Sequence, residues 1–367
     1  MLVLLSFLVW LWLFVAHGRF WASAPELPPA IPSAFPDVDI IVPARDEAAT
    51  ITRVIASLLG QDYAGKLRLI LVDDNSTDGT AAAAGTAPNL RLICGQSKPA
   101  GWSGKLWAIS QGIAASSAPV LLFTDADVVH DPRHLSSLVA RLLQPRVEMV
   151  SEMVRLNCSS AAERFLVPAF IYFFQMLYPF AKVNDPHSAV AAAAGGTVLI
   201  RRAALDRIGG IDAIKNALID DVALAQAVKK TGSIFLGHSG LATSIRSYPA
   251  FADIWKMIAR TAFTQLRYSA LLLLFTMASL TLIWLVPAWE TLFGHGWRVA
   301  LGLSAWALAA ITYLPTLTRY RQNRALSLAL PLIALFYMSA TFGSALQYWF
   351  GSGATWKNRA YDGGDRT

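Results

Sequence analysis

Residues 122–128, Leu-Phe-Thr-Asp-Ala-Asp-Val, end an apolar run in two carboxylates, Asp125 and Asp127, one residue apart. Such a run reads as a short buried strand, and open α/β sheets bind their ligands at the carboxyl ends of strands. Side chains two apart on a strand point the same way, so both carboxylates can converge on one cation. Mg²⁺ and similar hard ions take one or two carboxylates and complete their shell with substrate phosphates. An isolated Asp-x-Asp is also a solvated turn, and Asp131-Pro132 looks like a helix start. What favours chemistry is the company these acids keep.

Asp73 and Asp74 follow the apolar run 67–72, and Asp220 and Asp221 open an amphipathic helix. Asp220 and Asp221 read either as a helix N-terminus complementing the dipole or as a general base in a cleft. Next comes a basic stretch, 248–268, with Arg260 and Arg267. A nucleotide-sugar transferase needs this set: an acceptor for the base's N–H, a metal on the diphosphate, a base for the incoming hydroxyl, and cations for the leaving nucleotide. No serine–histidine or cysteine–histidine pairing stands out in its place.

The elements that must position these residues alternate. Strands are expected at 38–42, 67–72, 90–93 and 120–124, with helices at 48–59, just after 80, and at 105–115. The alternation predicts an α/β domain with a mostly parallel sheet covered on both faces. The first strand–helix turn, Pro43-Ala-Arg45-Asp46-Glu47, has no glycine, so it lacks the dinucleotide-binding fingerprint. Residues 98–105, Lys-Pro-Ala-Gly-Trp-Ser-Gly-Lys, lack the Walker pattern. They can still meet a diphosphate through backbone N–H groups and Lys105 at a helix start, or form an ordinary loop with a solvated lysine. His130 and His134 are spaced as in metalloproteases, but no Glu accompanies them and Pro132 intervenes; they are expected as surface histidines on a helix start. Gly195-Gly196 offers close backbone approach to a ligand, or a tight bend.

Apolar residues make up 55 % of the chain and charged residues 15 %, against about 45–50 % and about 25 % in soluble domains, so the excess marks membrane segments. Residues 1–21 read as an anchor. Ala22-Ser23-Ala24 resembles a signal-peptide cleavage site, but the positive charge follows the apolar run and favours an uncleaved anchor with the rest of the chain in the cytoplasm. Residues 22–36 are a Pro-rich linker, 37–247 the catalytic domain, 248–269 an interfacial amphipathic helix, and 351–367 a polar tail. Spans are expected at 270–287, 300–315 and 326–350. The loop 318–324 carries three arginines and 290–298 one, which again puts the segment before the first of these spans in the cytoplasm. The aromatic stretch 163–183 is expected to lie in the membrane interface rather than to span, since spanning would divide the carboxylates between two sides. The net charge of +7 suits anionic lipid and a phosphate-bearing substrate; no basic stripe with interleaved aromatics points to nucleic acid. Cys94 and Cys158 stand alone and suggest neither a disulfide framework nor zinc.

Residues 41–47 (Ile-Val-Pro-Ala-Arg-Asp-Glu), 72–80 (Val-Asp-Asp-Asn-Ser-Thr-Asp-Gly-Thr), 124–127 (Thr-Asp-Ala-Asp) and Asp220-Asp221 resemble the inverting family 2 glycosyltransferases of GT-A fold. Gly101-Trp-Ser-Gly-Lys105 and the three C-terminal spans look closest to the hopanoid-biosynthesis-associated members, with ceramide glucosyltransferase more distant. The resemblance implies a GT-A nucleotide-diphospho-sugar transferase fold, Rossmann-like, flanked by N- and C-terminal transmembrane helices. It implies a UDP-sugar donor, a membrane lipid acceptor, Mn²⁺ or Mg²⁺, and an integral inner-membrane enzyme with a cytoplasmic catalytic domain. Asp74 would contact the nucleobase, Asp125 the ribose or sugar, and Asp127 with Asp125 the metal. Asp221 beside Asp220 would be the base, and Pro43, Arg45, Glu47, Asp73, Lys105, Gly196, Arg260 and Arg267 complete the donor site. The family's Gln/Arg-x-x-Arg-Trp motif is matched only in part, by Met257-Ile-Ala-Arg260-Thr and by Gln265-Leu-Arg267-Tyr. The same donor chemistry would also serve a polyprenyl-phosphate sugar synthase, and the fold a non-catalytic membrane scaffold.

Overall fold

The computed structural model describes residues 1–22 and 25–350, with the short strands Thr355–Trp356 and Arg359–Ala360 beyond them. Most of the candidate cleavage site (Ser23 and Ala24) and most of the tail 351–367 lie outside the described residues. The chain divides into two compact units. One comprises Pro25–Asn157, Lys182–Arg246 and Thr355–Thr367; the other Met1–Ala24, Cys158–Ala181 and Ser247–Ala354. The segment 37–247, expected as one unbroken domain, is therefore interrupted: residues 158–181 cluster with the apolar helices.

The first unit is built on an eight-stranded mixed sheet. Its strands are β1 Val38–Ala44, β2 Leu67–Asp73, β3 Leu90–Cys94, β4 Val120–Thr124, β5 Val128–His130, β6 Val147–Arg155, β7 Thr197–Arg201 and β8 Ser233–Ser244, in the order β3-β2-β1-β4-β7-β6-β8-β5. The half β3-β2-β1-β4 is parallel. Beyond it β7 runs antiparallel to β4 and β6, while β8 runs parallel to β6 and antiparallel to β5. Every residue of β1 and β4 is buried, as the continuous apolar runs require for strands covered on both faces. The helix Ile51–Leu59 buries Ile51, Val54, Ile55 and Leu58 on one stripe, each contributing about 1.5–3 kcal/mol. Gly237 permits a close approach: a Cβ there would lie 2.6 Å from the Pro25 carbonyl oxygen, where residues 25–27 pair in parallel with β8.

The second unit is helical. Among the described residues three helical stretches are long and apolar enough to cross a membrane: Ala270–Phe293, Trp297–Arg319 and Arg324–Phe350; Leu2–Val15 is apolar but shorter. Pro287 and Pro315, expected as helix ends, lie within helical stretches instead. The absent N–H of Pro287 deprives the Ile283 carbonyl of its usual donor four residues on. The Trp10 indole supplies that donor at 2.7 Å, and a π segment, Thr281–Leu285, absorbs the irregularity. The aromatic helix Ala161–Leu177 packs within this unit. The Tyr172 hydroxyl meets that of Thr312 at 2.7 Å, and Tyr337 donates to the Leu166 carbonyl at 2.9 Å. The expected single helix over 248–268 breaks in two, Phe251–Ala259 and Ala262–Gln265.

Candidate active site

The loops at the carboxyl ends of β1 and β2 are stitched together. Asp46, held at φ 50°, accepts from the Thr77 N–H at 2.8 Å, and its own N–H donates to Ser76 Oγ at 3.0 Å. The Glu47 N–H donates to Thr80 Oγ1 at 2.8 Å. Asp73 accepts from the Ser76 hydroxyl. Arg45 donates to the Asp74 carbonyl at 2.5 Å and lies 3.5 Å from its carboxylate. Asp74 is thereby a buried acid with a cation beside it.

Across the sheet, Gly101 takes φ 76° and Ser103 caps the helix Gly104–Ala114 by accepting from the Leu106 N–H. Lys105, in the first turn, reaches back to Asp125 at 2.9 Å and Asp220 at 3.4 Å. Burial disfavours its charge, but the facing carboxylates of Asp125 and Asp220 outweigh this and raise its pKa. Asp127 makes an ion pair with Arg246, which also pairs with Glu47 at 2.5 Å. Burial pushes the Asp127 carboxyl above its ordinary range, against the pull of Arg246.

Asp221 stands in the first turn of the helix Asp220–Lys229. Its two oxygens accept from the Gly195 and Val222 N–H groups, each at 2.8 Å. Burial, reinforced by Asp220, pushes Asp221 up to about 7 despite Lys105 and these two donors. The result is a carboxylate poised to exchange a proton near neutrality. Pro43, Lys105, Asp125, Gly195, Asp220 and Asp221 line one narrow cleft, with a cavity volume of about 20 Å³. A Cβ on Gly195 would sit 3.2 Å from Lys105 Nζ and 3.3 Å from Asp221, so any side chain there would enter the cleft.

Two corrections follow. Gly195, not Gly196, faces the cleft; Gly196 packs on Val154, and its carbonyl accepts from Thr124 Oγ1. His130 and His134 are not surface histidines but buried, because every ring nitrogen has a polar partner. Arg260 and Arg267 belong to the helical unit, Arg267 at φ 51°. Arg246 was missed by sequence reasoning. It is the only Lys, Arg, Asp or Glu between Lys230 and Asp253, and a lone charge just past a strand was the available signal.

Among the described residues no three acidic, histidine or cysteine side chains form a complete cation cage. The hard oxygens of Asp125 and Asp127 still fit a divalent ion that completes its shell with phosphate oxygens.

Comparison with known proteins agrees with this geometry. Residues 39–209 match the family described as Glycosyl transferase family 2. An N-acetylglucosaminyltransferase of Bradyrhizobium elkanii is 32 % identical over 118 residues, 30 % of this chain and 63 % of the relative. A beta-monoglucosyldiacylglycerol synthase of Nostoc sp. is 24 % identical over 286 residues, 71 % of this chain and 60 % of the relative. The chain thus spans less than two thirds of the length of either. Among solved structures, a mannosyltransferase from Pyrobaculum calidifontis, in complex with GDP-Man and Mn²⁺, shares 20 % identity at a TM-score of 0.55, covering 94 % of this chain and 99 % of its own. Residues 39–209 are thus similar to glycosyltransferase family 2, and the mixed sheet is a GT-A fold.

Proposed function

We propose that this chain, similar over residues 39–209 to glycosyltransferase family 2, is a membrane-bound inverting transferase that moves a sugar from a UDP-sugar to a lipid hydroxyl. The observation that carries the reading is Asp221: a carboxylate oriented by two backbone N–H groups, raised to about 7, in a cleft shared with Lys105 and Asp125. Asp221 takes the proton of the acceptor hydroxyl, and that oxygen attacks the anomeric carbon in line. The bond from that carbon to the diphosphate oxygen breaks, its electron pair leaves with UDP, and the configuration inverts. Asp125 and Asp127 would hold a divalent ion, which supplies charge neutralisation to the diphosphate. Lys105 adds a fixed positive charge beside Asp125, and Asp74 with Arg45 forms the nucleobase end.

The three long apolar helices support a membrane location, and the three arginines of 318–324 support a cytoplasmic side for the segment before residue 270. The relative named as a glucosyldiacylglycerol synthase supports a lipid hydroxyl as acceptor. Hopanoid polyols and diacylglycerols are the two candidates, the first through the Gly101–Lys105 resemblance.

The test uses membranes containing the protein, Mn²⁺ and a panel of labelled UDP-glucose, UDP-N-acetylglucosamine and GDP-mannose. Label is counted in organic-extractable lipid. Transfer from one UDP-sugar, lost in Asp127→Ala and in Asp221→Asn, is the expected result. Transfer that survives Asp221→Asn would point to an already ionised acceptor such as a polyprenyl phosphate. No transfer from any donor would overturn the reading.

A further inference from the structure

Beneath the cleft runs a chain of buried polar side chains that the reaction does not use. Thr124, the last residue of β4, donates through Oγ1 to the Gly196 carbonyl at 2.8 Å and meets His130 Nε2 at 3.0 Å. His130 Nδ1 faces His134 Nδ1 at 2.7 Å, and His134 Nε2 faces Glu152 Oε2 at 2.6 Å. Ser239 Oγ donates to the same Glu152 oxygen at 3.1 Å and accepts from the Leu241 and Ala242 N–H groups. Thr124, His130, His134, Glu152 and Ser239 are each at most 4 % exposed. Among the described residues Glu152 Oε1 is buried with no hydrogen-bond partner, and the bonds of this carboxyl are made by the oxygen that faces His134.

Counting hydrogens fixes the direction of the chain. The single hydroxyl hydrogen of Thr124 goes to Gly196, so His130 Nε2 must donate to Thr124. Burial and the neighbouring His134 hold His130 neutral, well below the usual histidine range. Its Nδ1 is therefore an acceptor, and His134 Nδ1 carries the next hydrogen. The contact between His134 Nε2 and Glu152 then requires one further proton, shared between them.

The Thr124 end of this chain touches the backbone around the acids. Thr124 and His130 bracket the Asp125–Asp127 turn and clip its base shut. Gly196 follows Gly195, whose N–H holds Asp221. We propose that His130, His134 and Glu152 are positioning residues: a buried relay that backs Thr124, whose hydroxyl ties the turn bearing Asp125 and Asp127 to the Gly195–Gly196 loop that holds Asp221, so that donor site and base keep one spacing. This inference rests on the donor-site reading above.

The test compares Glu152→Leu with Glu152→Gln in the full-length protein, measuring UDP affinity in Mn²⁺ by calorimetry alongside thermal unfolding. The glutamine keeps an N–H for His134 Nε2; the leucine does not. The relay predicts UDP binding weakened about tenfold or more in Glu152→Leu and within about threefold of wild type in Glu152→Gln. If Glu152→Leu does not fold, Thr124→Val against Thr124→Ser makes the same comparison, with the serine restoring binding. Unchanged affinity in Glu152→Leu, or equal loss in both Glu152 variants, overturns the inference while leaving the donor reading intact. A wild type that binds no UDP with Mn²⁺ overturns both.

Discussion

Two pairs of aspartates face the same region with opposite surroundings. Asp125 and Asp127 each have a cation of the chain, Lys105 and Arg246, against them. Asp221 is held instead by two backbone N–H groups, and its neighbour Asp220 repels its charge. The first pair faces side-chain cations, which suits ligands for a metal and a diphosphate. The second is arranged so that one acid sits near its titration point, which suits proton transfer. Residue type is the same in both; what differs is that Asp221 takes backbone N–H donors on both oxygens and has Asp220 next to it in the chain.

The largest test of that contrast is Asp221→Asn. Removing the base should lower transfer about 10²–10⁴-fold while UDP affinity in Mn²⁺ stays within about threefold, as measured by kinetics and calorimetry. Asp127→Ala should do the reverse, costing about 10–100-fold in Mn²⁺-dependent UDP binding, and EDTA should mimic it in the wild type. If both substitutions gave the same profile, the two pairs would not have separate roles.

A smaller effect sharpens the comparison through pH. The base works deprotonated, so kcat/KM should rise about tenfold per unit below its titration point and level off above about 7, and Asp221→Asn should lack this limb. Stability runs the opposite way. The folded value lies above the ordinary 3.8, so folding loses stability as pH rises from about 4, and the loss is complete above about 7. Asp221→Asn should therefore melt higher than wild type at pH 8 and not at pH 4. The smallest effect is at the loop that delivers Lys105: Ser103→Ala removes the helix cap and should cost about 1 kcal/mol in chemical denaturation.

The parallel half of the sheet was legible because β1, β2 and β4 are short apolar runs, the first two each followed by a helix. The other half was not. β6 carries Glu148, Ser151 and Glu152, and β8 carries Gly237, His238 and Gly240, so neither shows a clean apolar pattern. Glu152 could enter a strand interior only because His134 and Ser239 satisfy it, a pairing across 18 and 87 residues that no local window reveals. Asp73, Asp74, Asp125 and Asp127 stood out by their places after strands, and Asp220 and Asp221 by opening a helix. Arg246 did not, because its partners Asp127 and Glu47 are 119 and 199 residues away.

The bond between Tyr172 and Thr312 spans 140 residues of chain. At about 5–20 residues per second, a ribosome needs roughly 7–28 s to deliver the second partner after the first. Throughout that interval the aromatic helix Ala161–Leu177 has been synthesised without the hydroxyl that will satisfy its buried tyrosine. Biogenesis of the helical unit is therefore ordered by the arrival of the Trp297–Arg319 helix, and a nascent chain stalled before it should remain open to proteolysis around residues 161–177.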